Sequence, residues 1–330
     1  MSQSVLVTGG AGYIGSHACK ALAQAGYVPV TYDNLSRGHR RAVRWGPLVQ
    51  GEIADRASVA AALTAHRVSC VMHFAAFAYV GESGTDPALY YRNNVIGTLA
   101  LLDAMRETGT DRIVFSSTCA TYGLPDSMPI AEATPQRPVN PYGETKLAIE
   151  RVLHWYGAAY GLRSVALRYF NASGCDRAGE IGEEHDPETH LIPLVLRAAL
   201  GSGPPVSIFG TDYPTPDGTA IRDYIHVEDL ATAHVRALQY LAEGGSSTAV
   251  NVATGRGYSV REIIAAAARA SGRDVPHREA PRRPGDPPTL VADPSLARSV
   301  LGWRAECSDL DTIIGSALAW ELRQHNERTP

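Results

Sequence analysis

The chain has 330 residues, 45% hydrophobic and 19% charged, with a formal net charge of 30 − 34 = −4; this is the balance of a water-soluble globular protein with one large or two ordinary domains. It excludes the basic footprint of a nucleic-acid binder and the polybasic patch of a membrane-surface protein, and no apolar run approaches the roughly 20 residues of a membrane helix. The five cysteines are scattered, odd in number and never spaced C-x-x-C, which argues against a disulfide framework or a zinc site and for a reducing cytoplasm.

The opening, MSQSVLVTGG, lacks the basic-then-apolar layout of a signal peptide. Its SVLVTGG is a buried-strand pattern running into glycines. SHACKALAQAGY then places small and apolar residues at helical spacing and stops at Gly26. VPVTYDN reads as a second strand, and VSCVMHFAA, DRIVFSST and RSVALRYFNASG as further ones. NNVIGTLALLDAMRETG and GETKLAIERVLHWYGAAYG are helical segments between them. Repeated strand–helix–strand order predicts an α/β fold: a doubly wound parallel sheet with helices on both faces. After about residue 175 the chain turns polar and rich in Pro and Gly, as in GCDRAGEIGEEHDPETH and EAPRRPGDPPTLVADP. Such stretches predict ordered binding loops and short strands, with an amphipathic helix in GYSVREIIAAAARASG. The expected division is 1–175 and 176–330, with the stretch around 222–252 packing back on the first part.

Gly9, Gly12 and Gly15 lie between the first strand and the first helix. Glycines there permit a tight turn and close approach of backbone to a pyrophosphate, and the helix N-terminus offers free N–H groups. Asp33 ends the second strand, placed to bind adenosine ribose hydroxyls and to repel a 2′-phosphate, so NAD is expected over NADP. Glu52, Ile53 and Asp55 follow at a third strand end. An acid there suits an adenine amino group, and solvated surface charge explains it equally well.

Tyr142 and Lys146, in NPYGETK, share a helical face at i and i+4. A tyrosine with an ordinary pKa near 10 is a poor base at neutral pH. A neighbouring ammonium, joined by the positive charge of an oxidised nicotinamide, favours the phenolate. Thr118 closes FSST at a strand end, where open α/β sheets place their ligands, and its hydroxyl can relay or anchor a proton. His185 and His190, in EEHDPETH, lack H-E-x-x-H spacing, and no metal is expected.

Gly9, Gly12, Gly15, Asp33, HFAA, FSST and PYGETK, in this order, resemble the extended short-chain dehydrogenase/reductase family. YDNLSRGH, HFAAFAYVGES, YYRNNVIGT, RYFNASG, IFGTDYPTPDGTAIRDYIHVEDLA and RRPGDPPTLVADPSLA narrow the resemblance to its UDP-glucose 4-epimerase branch over nearly the whole chain. The resemblance implies a Rossmann-type NAD domain, a smaller α/β C-terminal domain for a UDP-sugar, and a homodimer through helices near 93–108 and 144–160. It implies an isomerase that oxidises the sugar at C4 and reduces it on the opposite face, with Tyr142 as base, Lys146 as its charge partner and Thr118 as relay. The cofactor cleft would include Tyr13 and Ile14 with the glycines, Asn34 and Ser36 with Asp33, and Glu52 and Ile53. Phe74, Ala75, Ala76, Asn93, Ser116 and Tyr169 would complete it with Tyr142 and Lys146. The UDP-sugar would meet Asn171, His190, Leu191, Arg222, Tyr224 and Arg283. Asp286 would take ribose hydroxyls, Ser207 and Phe209 would lie near uracil, and Leu290 near the sugar.

Four departures stand out. Thr118 replaces a commoner serine and keeps the hydroxyl. Ala78 stands where some members carry a lysine, and Glu52 replaces a commoner aspartate. Leu290 replaces a bulky tyrosine of some members, so N-acetylated UDP-hexoses are expected to have room. The alternative is a UDP-xylose/UDP-arabinose 4-epimerase with the same chemistry. A dehydratase or decarboxylase fits less well, because Cys119 and Ala120 follow Thr118 where a dehydratase carries an acid pair. A non-catalytic dinucleotide sensor would need no Tyr142–Lys146–Thr118 set.

Overall fold

The computed structural model describes residues 3–283 and 285–328. In chain order the first part comprises β1 (Ser4–Thr8), α1 (Tyr13–Gln24), β2 (Val28–Asp33), β3 (Leu48–Gln50), α2 (Arg56–Ala65) and β4 (Val68–His73). Next come α3 (Val80–Thr85), α4 (Pro87–Tyr90), a wider π-helical turn (Tyr91–Ile96) that runs into α5 (Gly97–Thr108), β5 (Arg112–Thr118), α6 (Pro141–Tyr160) and β6 (Arg163–Tyr169). The rest comprises β7 (Asn171–Ser173), α7 (Leu191–Leu200), β8 (Val206–Phe209), β9 (Ile221–His226), α8 (Val227–Ala242), β10 (Thr248–Val252), β11 (Gly257–Ser259), α9 (Val260–Ser271), β12 (His277–Ala280), β13 (Thr289–Leu290), α10 (Ser295–Leu301) and α11 (Leu310–Arg328).

A seven-stranded sheet in the order β10-β6-β5-β4-β1-β2-β3 forms the main layer, and its pairings are parallel. Successive strand residues point to opposite faces, and the burial follows that period. Val5, Val7, Cys70, Met72 and Val114 pack on one face with Leu22 of α1 and Leu230, Leu238 and Leu241 of α8. Leu6, Val71, Ile113 and Phe115 pack on the other with Leu101 of α5 and Ile149 and Leu153 of α6. Both faces are therefore dry, which is why the strands read as near-continuous apolar runs. Strand order reverses between β1 and β4, and the carboxyl ends on either side of that point form the usual ligand crevice of such sheets.

The run RSVALRYFNASG, expected as one strand, is two. It breaks at Phe170, which is buried with Tyr122, Ile130, Ala253 and Ala292. β6 stays in the large sheet, while β7 pairs with β9 in a second sheet that also contains β11 and β13. The chain returns to the large sheet through β10, which pairs with β6, and α8 packs against α1. β8 and β12 form a separate parallel pair. A third core, with Ile192, Leu196, Ile208, Ile263, Ile313 and Trp320, joins α7, α9 and α11. Among the described residues no helix is long and apolar enough to cross a membrane.

Candidate active site

The glycine turn is built as tightly as its spacing suggests. Gly9 has φ +72, and a Cβ on it would lie 2.7 Å from the Ala75 nitrogen. A Cβ on Gly15 would lie 2.2 Å from the Gly9 carbonyl, so any side chain there would push α1 off the turn. Gly12 is the N-cap of α1, and no side chain caps it. The first-turn N–H groups, which have no intrahelical partners, are thus left to an anion, with Tyr13 and Ile14 as the first residues of the helix. The Tyr13 hydroxyl donates to the Gly174 carbonyl at 2.5 Å, tying this turn to the loop after β7.

Asp33 ends β2 beside that turn. Its carboxylate accepts from the Ala11 N–H at 3.0 Å and the Leu35 N–H at 2.8 Å. Burial raises its pKa, and those two N–H groups offset only part of the rise. Leu35 has φ 63, an uncommon conformation for a leucine, and it lets the chain turn over the carboxylate. Asn34 donates to both Glu52 oxygens, at 3.2 and 3.1 Å, and its own side-chain oxygen holds Ser36. Ile53 is buried against Gly97. Phe74 packs 4.6 Å from the His234 ring, and Ala75 and Ala76 follow it past the end of β4.

Behind the turn lies a polar chain that the sequence did not announce. Thr98 donates to the Asn94 carbonyl, so His73 Nε2 donates to Thr98 at 2.8 Å. His73 Nδ1 then accepts from the Thr8 hydroxyl at 2.6 Å, and Thr8 in turn receives the Ala75 N–H. Burial, with Lys146 second, drives the His73 pKa down to about 3, so the imidazole is neutral, as this pattern requires. Asn94, fully buried, bonds both Phe77 backbone groups, accepts from Asn93 and donates to Thr145 on α6.

α6 starts where Asn140 accepts the Gly143 N–H at 2.9 Å and Pro141 takes the first helical position. That start points Tyr142 and Lys146 at the end of β5. Both are buried, with Tyr142 8% exposed and Lys146 3%. Lys146 Nζ donates to the Ser116 carbonyl at 2.7 Å and lies 5.9 Å from the Tyr142 ring centroid. Burial raises the Tyr142 pKa, Tyr169 adds to the rise, and the nearby Thr118 hydroxyl opposes it. Burial pulls the Lys146 ammonium down to about 7, with Glu150 acting against it. The Ser116 hydroxyl meets that of Tyr169 at 2.6 Å. These surroundings hold Tyr142 as a phenol, and a further positive charge beside it is what would release the proton.

Of the expected UDP-sugar residues, Asn171, Arg222, Tyr224, Asp286 and Leu290 lie on or beside β9, whereas Ser207 and Phe209 lie in the β8–β12 pair and His190 and Leu191 at the start of α7. Arg222 pairs with Asp286, Leu290 is the β-partner of Arg222, and Asn171 is the β-partner of Tyr224. Leu290 packs against the core of Tyr122, Phe170 and Ala292. Tyr224 is buried in the third core. The Arg283 guanidinium lies 4.0 Å over the Phe209 ring, and Ser207 accepts from Arg278 at 3.2 Å. His190 stands at the N-cap position of α7 without a side-chain capping bond, and Leu191 is the first helical residue. Glu183, His185, Glu188 and His190 bring four donor atoms within 4.8 Å of one another, two carboxylates against two imidazoles. Burial raises the Glu183 pKa, but His190 and His185 more than reverse this and bring it to about 2. Burial lowers the His185 pKa, and Glu183 and Glu188 overcome that to bring it to about 9. The cluster is therefore a self-neutralising ion-pair knot.

The glycine cradle, the uncapped α1 and the Asp33 carboxylate fit a dinucleotide. Comparisons with known proteins support NAD as that dinucleotide. The chain is 54% identical over 324 residues to the UDP-glucose 4-epimerase of Rhizobium meliloti strain 1021, covering 98% of both chains. It is 53% identical to that of Rhizobium leguminosarum bv. trifolii, again over 98% of each. The crystal structure of UDP-glucose 4-epimerase from Brucella ovis in complex with NAD is similar at a TM-score of 0.95 and 57% identity, covering 96% of this chain and 98% of that one. Residues 5–253 match the family model, and the chain belongs to the NAD dependent epimerase/dehydratase family.

Proposed function

We propose that the chain is an NAD-dependent isomerase that interconverts UDP-glucose and UDP-galactose by inverting C4 of the sugar. The observation that carries the reading is the convergence of Tyr142, Lys146 and Thr118 at the end of β5, at the same carboxyl edge of the sheet as the glycine cradle after β1, with β4 between them. NAD, when bound, would be held by the glycine turn and Asp33 and would supply reversible hydride acceptance at the sugar C4. Tyr142 removes the proton from the sugar O4 and later restores it. Lys146 supplies the charge that makes the phenolate accessible, and Thr118 steadies the hydroxyl that gives up the proton. Arg222, Arg283 and Asn171 hold the diphosphate side, as guanidinium groups suit phosphate geometry. Asp286 faces the ribose and Ser207 and Phe209 the uracil, so the UDP is gripped while the sugar is free to turn over.

Leu290 leaves more room beside the sugar than a tyrosine would, and N-acetylated UDP-hexoses belong to the proposed range. Residues 1–175 with the returning segment of α8 and β10 form the NAD unit, and 176–330 supply most of the UDP-sugar unit. Exposed Tyr91 and Ile96 before α5, and Trp155 and Tyr160 on α6, support a homodimer through these helices. Five free cysteines suit a reducing compartment, and we place the protein in the cytoplasm.

Incubation with UDP-galactose, UDP-N-acetylgalactosamine and UDP-arabinose, without added NAD, tests the assignment by chromatography of the products. UDP-glucose from the first arm is expected. Absence of turnover by protein shown to hold NAD would overturn the function, and arabinose-only turnover would make it a pentose epimerase.

A further inference from the structure

Beneath the proposed base and its lysine lies a carboxylate to which that mechanism gives no role. Glu150 is on α6, one turn beyond Lys146 and two beyond Tyr142. Its side chain is 9% exposed and that of Arg168, its ion-pair partner, 8%. Arg168 reaches it with two nitrogens, Nε at 3.0 Å from Oε1 and Nη2 at 2.6 Å from Oε2. The Ser117 hydroxyl donates to Oε1, and Gln136 donates to Oε2 at 3.1 Å. Ser117 on β5 and Arg168 on β6 are direct parallel partners, and the next rung of the ladder pairs Thr118 with Tyr169. One carboxylate therefore clamps the helix to a single rung of the sheet, immediately below the rung that carries Thr118.

We infer that Glu150 is a positioning residue of the epimerase site: it fixes the height of α6 against β5 and β6 and holds a negative charge under Lys146, so that the ammonium stays charged beneath Tyr142. The inference rests on the catalytic reading above. Arg168 is fully engaged, bonding Tyr122 at 3.0 Å as well as Glu150, so the clamp cannot drift without breaking several bonds. The other titratable groups around the lysine do not replace Glu150. Tyr142 shares its helix; His73, on β4, is neutral; Tyr169, on β6, is a phenol; and Tyr90, beside Tyr142, is bound to Glu82. Arg168 itself is cationic, and left without Glu150 it would repel the Lys146 charge. Removing the carboxylate therefore both loosens the helix and makes the ammonium harder to keep.

The test uses full-length, NAD-containing protein with UDP-galactose across a pH series. Glu150→Gln is expected to lower kcat about tenfold or more with KM changed less than about threefold, and to move the basic limb of kcat to lower pH by about half a unit or more. Unchanged kcat with an unmoved limb overturns the inference. Lowered kcat with an unmoved limb marks a merely structural residue and also overturns it. If Glu150→Gln does not fold, Ser117→Ala decides, because it keeps the charge but cuts the tie to β5. A kcat about threefold lower at constant KM supports positioning, and wild-type kcat overturns it. Tyr142→Phe is run alongside. If that variant turns over normally, the catalytic reading has failed, and not the role of Glu150 alone.

Discussion

The large parallel sheet and the smaller sheet around β9 hold their polar groups in different ways. In the large sheet candidate residues such as Gly9, Asp33, Phe74 and Thr118 sit at or just past strand ends, where backbone groups help hold them, as the Ala11 and Leu35 N–H groups hold Asp33. In the smaller sheet Arg222 is placed by a distant partner, Asp286, and in the separate β8–β12 pair Phe209 is likewise covered by distant Arg283. The first arrangement suits a cofactor that stays bound, because backbone and buried strands are preorganised for it. The second suits a ligand that enters and leaves, because ion pairs between loops can exchange partners with a diphosphate. The two regions should therefore fail differently when mutated.

The largest effect is expected from Tyr142→Phe. Loss of a general base in this setting costs on the order of 10²–10⁴ in rate. kcat for UDP-galactose should fall by that much, while bound NAD, read by absorbance after denaturation, stays at the wild-type level. Retention of more than about a tenth of the activity would remove the phenol from the chemistry.

Next comes Gly15→Ala, which strikes the cofactor side. The new methyl would meet the Gly9 carbonyl at 2.2 Å, and backbone cannot rotate away as a side-chain tip could. The helix must move, at a cost of roughly 1–3 kcal/mol or more. Protein purified with little NAD and a lower thermal midpoint is expected. A variant with full NAD content would show that the close approach is not needed.

How much was readable in advance follows the same division. The glycine turn, Asp33 and the Tyr142–Lys146 pair were legible because each depends on local spacing: a strand, a turn, a helical period. The chain from Thr8 through His73 to Thr98 was not, because its members lie 65 and 25 residues apart and meet only when β1, β4 and α5 assemble. The break at Phe170 was hidden inside a continuous β-type run, since nothing local says that the next strand joins another sheet. Glu183, His185, Glu188 and His190 looked like a polar loop, because their spacing matches no motif. Folding puts two acids against two imidazoles. Nothing local to α6 marks Glu150 for burial, because the partner that covers it, Arg168, lies on β6.

On the substrate side, Arg222→Gln removes one partner of a mostly buried ion pair. If the diphosphate competes with Asp286 for this guanidinium, losing it should cost about 2–3 kcal/mol of binding, or a KM for UDP-galactose raised by some 30- to 150-fold. NAD content should be unchanged. Parallel loss of NAD and of substrate affinity would mean that the two regions are not separable.

The smallest effect belongs to the ion-pair knot, and its pH dependence identifies it. His185 has its pKa raised from 6.5 to about 9 in the folded protein, so it contributes stability in full below pH 6.5 and loses it as pH rises through about 9. Glu183 is depressed from 4.5 to about 2, so its contribution is present above pH 4.5 and is lost as pH falls through about 2. Both are at full strength only between pH 4.5 and 6.5. His185→Gln should therefore lower the thermal midpoint most in that window, by an amount corresponding to about 1–2 kcal/mol. The gap to wild type should close as pH approaches and passes about 9, where the native imidazole also gives up its charge. A gap that stays constant from pH 6 to pH 9.5 would mean that His185 stabilises the loop by packing against Tyr13 and Tyr79, whose rings lie 6.0 Å from its own, and not by its charge.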